Sequence, residues 1–287
     1  MRRARAGAVI VARMPKLELR GRHIQFSDEG AGPPVVMLHS GGLSSRQWRS
    51  LGMALRAAHR VIAPDFLGYG GSSALAADAT FEYGEDVEMI SALLDTLAAP
   101  AHLVGHSYGG LVALQAARRA PEKVRSLALY EPVAFGVLHH QPGGGDSQRD
   151  LEEAASAQQL ASDDQGRGGG DAWLEGFVDW WQGSGTWRSL PEPSRAAFLA
   201  VGRKTFLEVR SLLADRTPAS AYDALSMPAL LLCGEKSPRI ERRVCALLAE
   251  ALPRARLETL PGAGHMGPLA QMSVVNGLIA RHIDPPG

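Results

Sequence analysis

"HLVGHSYGGLVAL", residues 102–114, decides how the chain is read. An apolar run ends in a glycine-bounded turn that carries Ser107, and a helical run follows at once. Gly105-His106-Ser107-Tyr108-Gly109 fits Gly-X-Ser-X-Gly, whose serine stands on a sharp, strained strand-to-helix turn. Small residues on either side let strand and helix pack close. The hydroxyl then projects above the sheet, and the following amide points at a developing oxyanion. An ordinary Gly-rich turn would use the same residue types, so the rest of the chain has to decide.

Outward from this turn, short apolar runs alternate with helical patterns. "VVMLHS" (35–40), "RVIAPD" (60–65), "HLVGHS" (102–107), "SLALYE" (126–131) and "ALLLCG" (229–234) are nearly continuous in apolar residues, as in parallel strands covered on both faces. "ARLETLP" (255–261) predicts one more strand, and the alternating "HIQFSDEG" (23–30) an edge strand. Helical patterns fall at 46–57, 84–98, 109–119, 238–251 and 268–282. This order predicts an α/β fold with a mostly parallel central sheet flanked by helices. Residues 136–225 carry no good strand pattern, and they hold four of the five tryptophans. "HHQPGGGD" and "DDQGRGGGD" within them read as flexible hinges. The expected organisation is a disordered extension over 1–15, a core over 16–135 and 226–287, and an inserted helical cap over 136–225.

Bulk composition narrows the partners. A chain of 287 residues with 45% hydrophobic content can bury a full core. Thirty basic and thirty acidic side chains cancel, which argues against a nucleic-acid partner. No apolar run is long enough to cross a bilayer. The arginine-rich start runs through a short apolar patch into Arg13 without a cleavage site, so it is not read as a signal peptide. Cys233 and Cys245 read as buried free thiols, which fits a cytoplasmic location. An oligomer is possible but not indicated. His139 and His140 have no further ligand at metal spacing, so neither metal nor cofactor is expected.

Two more strand ends carry candidate chemistry. "MLHSGGLSSRQW" (37–48) is a strand running into His and glycines, a loop able to offer a backbone amide to an oxyanion. "LPGAGHMGPL" (260–269) places His265 after the final strand. "APDFLGYGGSS" (63–73) reads as a tight turn, with Asp65 structural, and lacks the glycine register of a dinucleotide site.

Together these segments make the chain resemble the α/β-hydrolase fold superfamily, in its serine esterase-like branch. The markers are His39-Ser40-Gly41-Gly42, Asp65 with Gly68-Tyr69-Gly70, Gly105 to Gly110, and Gly262-Ala263-Gly264-His265. Ser40 stands where many relatives carry Gly. The resemblance implies Ser107 as nucleophile and His265 as general base and then acid. It also implies the amides of Gly41 and Tyr108 as the oxyanion hole, with His39 bracing that loop.

A triad needs a carboxylate behind its histidine. Most relatives have an Asp a few residues after the strand that follows the cap, and here "LLCGEKSPRI" aligns Ser237 with it. One rescue is Glu131, at the end of "LALYE" and before Pro132; haloalkane dehalogenases of one branch resemble this arrangement. The alternative acid is Glu235, and a triad without a true acid is the third possibility. Glu131 is preferred, because a Glu at a buried strand end is not an ordinary solvated charge.

A serine nucleophile favours acyl transfer to water over haloalkane or epoxide hydrolysis, which this fold performs with Asp. Trp173, Phe177, Trp180 and Trp181 form one helix face, and Phe198, Thr205, Val209 and Leu213 continue the pattern on a second helix. Such stripes are packing by default, but part of this one can line an apolar pocket. The candidate lining is Trp48, Phe135, Trp180, Trp181 and Met266. Arg203, Lys204 and Arg210 either meet a substrate carboxylate or form a solvated helix face. The expected function is a serine hydrolase cleaving a small ester or related acyl compound through an acyl-enzyme. The alternatives are hydrolytic C–C cleavage or perhydrolysis on the same site, and a catalytically weak ligand receptor.

Overall fold

The computed structural model describes residues 14–76, 78–139, 153, 160, 162, 166 and 168–285. Eight strands form one sheet: β1 (Lys16–Leu19), β2 (Arg22–Glu29), β3 (Pro34–Leu38), β4 (Arg60–Pro64), β5 (Ala101–His106), β6 (Val124–Tyr130), β7 (Ala229–Gly234) and β8 (Ala255–Leu260). Their spatial order is β1-β2-β4-β3-β5-β6-β7-β8. Strands β3 to β8 pair in parallel, while β1 and β2 run antiparallel. The α-helices whose bounds are described are α1 (Arg49–Leu55), α2 (Tyr83–Asp95), α3 (Tyr108–Arg119), α4 (Asp171–Gln182), α5 (Thr186–Ser189), α6 (Glu192–Ala214), α7 (Arg239–Ala251), α8 (Gly267–Ala270) and α9 (Met272–Ile283).

The continuous apolar runs exist because both sheet faces are covered. Along β3, Val36 and Leu38 pack with Val87 of α2, Leu111 of α3 and Ile240 of α7. Val35 and Met37 pack the other way, with Leu51 of α1 and Val275 and Ile279 of α9. That alternation is the period of two expected of a strand between two helix layers. The parallel strands open at one edge, so Ser107, Glu131 and the loop carrying His265 emerge side by side at their carboxyl ends. Clefts in open α/β sheets form there.

Helices α4, α5 and α6 lie in the chain between β6 and β7; α4 and α6 face that edge, and Trp187 of α5 packs against both. Ser211 of α6 donates to Glu82 (2.6 Å) and accepts from the amide of Tyr83 (2.9 Å), which ties α6 to α2.

Three expectations change. Residues 23–30 are not an edge: β2 pairs with β4 on one side and β1 on the other, and β1 is the outer strand. The predicted extension over 1–15 ends inside the sheet, because the Pro15 carbonyl accepts from the Phe26 amide at 3.1 Å; residues 1–13 lie outside the described residues. The glycines of "DDQGRGGGD" include a packing contact, not only a hinge. A Cβ on Gly169 would stand 2.3 Å from the Gly202 carbonyl, so only glycine lets this segment cross α6 there. The other glycine-rich stretch, 141–145, and His140 lie outside the described residues.

Candidate active site

Ser107 has φ 54° and ψ −119°, a left-handed conformation unusual for a residue with a Cβ. The glycines of the motif permit it. A Cβ on Gly105 would lie 2.6 Å from the Gly109 carbonyl, and one on Gly109 2.4 Å from that of Leu38. The serine amide donates to the Tyr130 carbonyl (2.9 Å), which pins the turn to β6.

From the serine a chain of hydrogen bonds runs inward. Ser107 Oγ is 2.9 Å from His265 Nε2, and His265 Nδ1 is 2.6 Å from Glu131 Oε2. The carboxylate accepts a hydrogen bond from Nδ1–H, which leaves Nε2 as acceptor for the serine hydroxyl. Glu131 is fully buried and leaves its strand at φ 44°, again left-handed. Its other oxygen accepts from the Gly234 amide and from the Ser237 hydroxyl, each at 2.5 Å. Three donors offset the cost of burying the charge. Ser237, where an Asp was expected, therefore serves the displaced carboxylate as a donor.

Neighbouring side chains hold the loops in place. The amide of Ser40 donates to Gln47 Oε1 (3.0 Å), Gln47 Nε2 donates to His106 Nδ1 (2.9 Å), and His106 Nε2 donates to the His265 carbonyl (2.9 Å). Burial holds His106 well below the ordinary histidine range, so it stays neutral in this relay. His39 donates from Nδ1 to the Ser40 carbonyl (2.8 Å) and accepts from the Phe66 amide (3.1 Å); burial lowers its pKa to about 4. Tyr130 donates to the Gly264 carbonyl (2.7 Å) from beneath the His265 loop. Asp65 accepts from the amide of Gly71 (3.3 Å) within its turn and from that of Ser45 (2.8 Å) in the loop after β3, and makes no hydrogen bond to His265.

A narrow apolar cleft opens over Ser107. Gly41, Tyr108, Phe135, Trp180, Trp181, Met266 and His265 line it, so most of the predicted site residues meet here. Trp48 does not. It is buried among Met37, Leu51 and Val275 on the far face of the sheet, because the helix it opens packs on α9's side. Glu235 does not reach the histidine either; its carboxylate is turned to the Gly262 amide (2.8 Å) in an exposed position. The indole of Trp181 stacks on His265 at 3.7 Å between ring centres. Trp173 instead packs on Phe177 and Phe206, while Phe198, Thr205, Val209 and Leu213 join the lining.

Lys204 corrects another expectation. It meets neither solvent nor the cleft, being buried with its ammonium between Asp86 (2.9 Å) and Glu208 (2.6 Å). Arg203 and Arg210 lie over the Phe206 ring, also off the cleft. Glu208 is the carboxylate in the described lining that sequence reasoning missed. Its Oε2 accepts from Tyr69 (2.7 Å), and burial raises its pKa to about 7 against the pull of Lys204. The only local signal for it was the Lys204/Glu208 spacing of four on α6. Among the described residues, no cluster of His, Cys, Asp or Glu could hold a metal ion, and no helix is long and apolar enough to cross a membrane. Cys233 and Cys245 are both buried and unpaired.

This architecture and strand-end site place the chain in the Alpha/beta hydrolase family, which it matches over residues 35–277. It is an enzyme of the hydrolase class. The 2-hydroxymuconate semialdehyde hydrolase of a Pseudomonas species is 29% identical over 259 residues, 85% of this chain and 84% of that protein. A haloalkane dehalogenase of Sphingobium indicum is 30% identical over 125 residues, 42% of each. In fold the chain is similar to Est816, an N-acyl homoserine lactone degrading enzyme, with a TM-score of 0.71, 22% identity, and coverage of 93% of this chain and 99% of that one.

Proposed function

We propose that the protein is a serine hydrolase that cleaves a small ester or related acyl compound through an acyl-enzyme on Ser107. The observation that carries this is the unbroken line Ser107–His265–Glu131 at hydrogen-bond distances beneath the cleft. In this reading His265 takes the Ser107 proton as Oγ attacks the acyl carbon. Glu131 stabilises the imidazolium, and Trp181 stacked on the ring adds cation–π support. The amides of Gly41 and Tyr108 receive the oxyanion. His265 then protonates the leaving group, and water repeats the cycle on the acyl-enzyme. Helices α4 to α6 act as the cap, and their apolar face forms the acyl pocket. The unpaired thiols fit a reducing, cytoplasmic setting.

Hydrolytic C–C cleavage on the same residues is the second reading. The likeness to 2-hydroxymuconate semialdehyde hydrolase over most of both chains favours it. A receptor without turnover has no support beyond the Ser237 substitution, which the Glu131 geometry accounts for. The test is labelling with a fluorophosphonate, followed by peptide mass analysis and p-nitrophenyl butyrate hydrolysis. Modification confined to Ser107, with both labelling and turnover lost in Ser107→Ala, is the expected result. A folded wild type that neither labels nor turns over sinks the reading.

A further inference from the structure

We propose that the cleft selects acyl substrates that carry no negative charge, and that Glu208 on α6 is the residue that sets this preference. The inference rests on the serine-hydrolase reading and deepens it. Among the described residues lining the cleft there is no lysine or arginine, so nothing there offers a full positive charge to a substrate carboxylate. Lys204 lies behind the wall, and Lys236 lines the adjoining opening beyond Trp181, His265 and Met266, outside the cleft itself. Asp86 and Glu208 share the Lys204 ammonium, and the Phe81 ring lies 3.7 Å from it. Two carboxyl groups around one ammonium leave an excess negative charge, and Glu208 presents it to the cleft.

The placement makes this charge matter. A Cβ on Gly41 would be 2.7 Å from Glu208 Oε2, so the carboxyl group lies against the glycine of the proposed oxyanion hole. The cleft is walled by Phe135, Phe177, Trp180, Trp181 and Phe198, and like charges repel more strongly beside such an apolar wall than in open solvent. A carboxylate-bearing acyl chain would meet that repulsion on entry. The carboxylate product of a neutral ester would meet it only after hydrolysis, which favours release.

The charge is also titratable. Glu208 holds its proton up to about pH 7. Around it stand Lys204 and Thr205 on its own helix, Asp86 on α2, Tyr108 on α3 and Tyr69 in the loop after β4, with His39 of the loop after β3 against the Tyr69 ring. Burial keeps Tyr69 and Tyr108 well above their usual range and His39 at about 4, so these three stay neutral through the window in which Glu208 ionises.

The experiment compares kcat/KM for p-nitrophenyl hexanoate and mono-p-nitrophenyl adipate, which differ only in a terminal methyl or carboxylate. Their ratio cancels the titration of the shared triad. Wild type is expected to prefer the hexanoate by about a hundredfold at about pH 8, falling roughly tenfold by about pH 6 as Glu208 takes its proton. In Glu208→Gln the ratio should drop by about tenfold and lose its pH dependence. A wild-type preference below about threefold, a ratio flat with pH, or a ratio unchanged in the variant overturns the inference. The wild-type pH series stands alone if the variant does not fold. If neither ester is turned over, the hydrolase reading is what has failed. Tryptophan fluorescence titration with hexanamide and adipamate then reads the charge preference without turnover, and equal affinities at about pH 8 overturn it.

Discussion

Glu131 and Glu208 are both fully buried carboxyl groups within reach of one cleft, yet they are held in different ways. Glu131 sits at a strand end and, among the described residues, has no lysine or arginine as an ion-pair partner. Its partners are an amide, a hydroxyl and the imidazole of His265. Glu208 sits in the middle of a cap helix and has a true ammonium, but shares it with Asp86. Burial is common to both, and the partners differ. Donors that are themselves neutral leave a carboxylate's charge available to an imidazole that becomes positive during reaction. At Glu208 burial raises the titration to about 7, Asp86 adds to that push, and the ammonium it shares with Asp86 opposes it only in part. The first arrangement suits catalysis and the second suits discrimination.

The largest expected effect breaks the comparison on the Glu131 side. Glu131→Gln keeps the size and can still accept from Gly234 and Ser237. Its amide NH2 then faces His265 Nδ1 and forces that nitrogen to be the acceptor. The proton moves to Nε2, where it can no longer accept from Ser107. We expect kcat for p-nitrophenyl butyrate to fall by about three to four orders of magnitude with the fold intact by circular dichroism. A loss of less than about tenfold would make Glu131 a structural anchor only.

The two glutamates also differ in how far the sequence disclosed them. Glu131 could be named because its case is local: a Glu at the end of an apolar run, with a hydroxyl where an Asp belonged. The serine turn was legible for the same reason, since its steric requirement is met within five residues. Glu208 was not, because its burial depends on which face of α6 packs against α2 and α3, a choice made by residues more than a hundred positions away. On a helix, Lys204 and Glu208 at that spacing look like a solvated pair. The Gln47–His106 relay stayed hidden too, since each partner looks like an ordinary loop or strand residue until the strands align. The outer strand β1 was missed although its signal was present. "KLELRGRHIQ" is two alternating runs joined by Arg20-Gly21, both at positive φ, a two-residue hairpin turn. Trp48 was misassigned because aromatic character says nothing about which side of a sheet a helix covers.

The next effect sharpens the Glu208 side and concerns stability. Its pKa is about 7 in the folded protein against 4.5 as the ordinary value. As pH rises between these values the unfolded chain gives up its proton first, so the folded state loses stability across that window and no further above it. Urea unfolding at about pH 5 and about pH 8 should show wild type losing about 2–3 kcal/mol relative to Glu208→Gln. A pH-independent difference would mean that Lys204 satisfies Glu208 fully.

A smaller effect returns to Glu131. Ser237→Ala removes one of the two donors on Oε1 and leaves the Gly234 amide and His265 in place. One hydrogen bond to a charged group corresponds to about 1.5 kcal/mol, so kcat should fall about tenfold with little change in KM. A fall comparable to that of Glu131→Gln would mean that the hydroxyl, not the amide, sets the orientation of the carboxylate.

The smallest effect concerns the third glutamate of this edge. Glu235 was the alternative acid by position, but its carboxylate accepts from the Gly262 amide at 2.8 Å in solvent, with its backbone amide tied to Leu260. It can steady the loop that leads to His265 without touching the imidazole. Exposed hydrogen bonds of this kind are worth about 0.5 kcal/mol, so Glu235→Gln should lower stability by no more than that and change kcat/KM less than about twofold. The contrast with Glu131→Gln is then a contrast between two glutamates at neighbouring strand ends. If Glu235→Gln instead lost activity by orders of magnitude, the imidazole would have to turn toward the outer loop during the reaction, and the resting geometry around Glu131 would not be the working one.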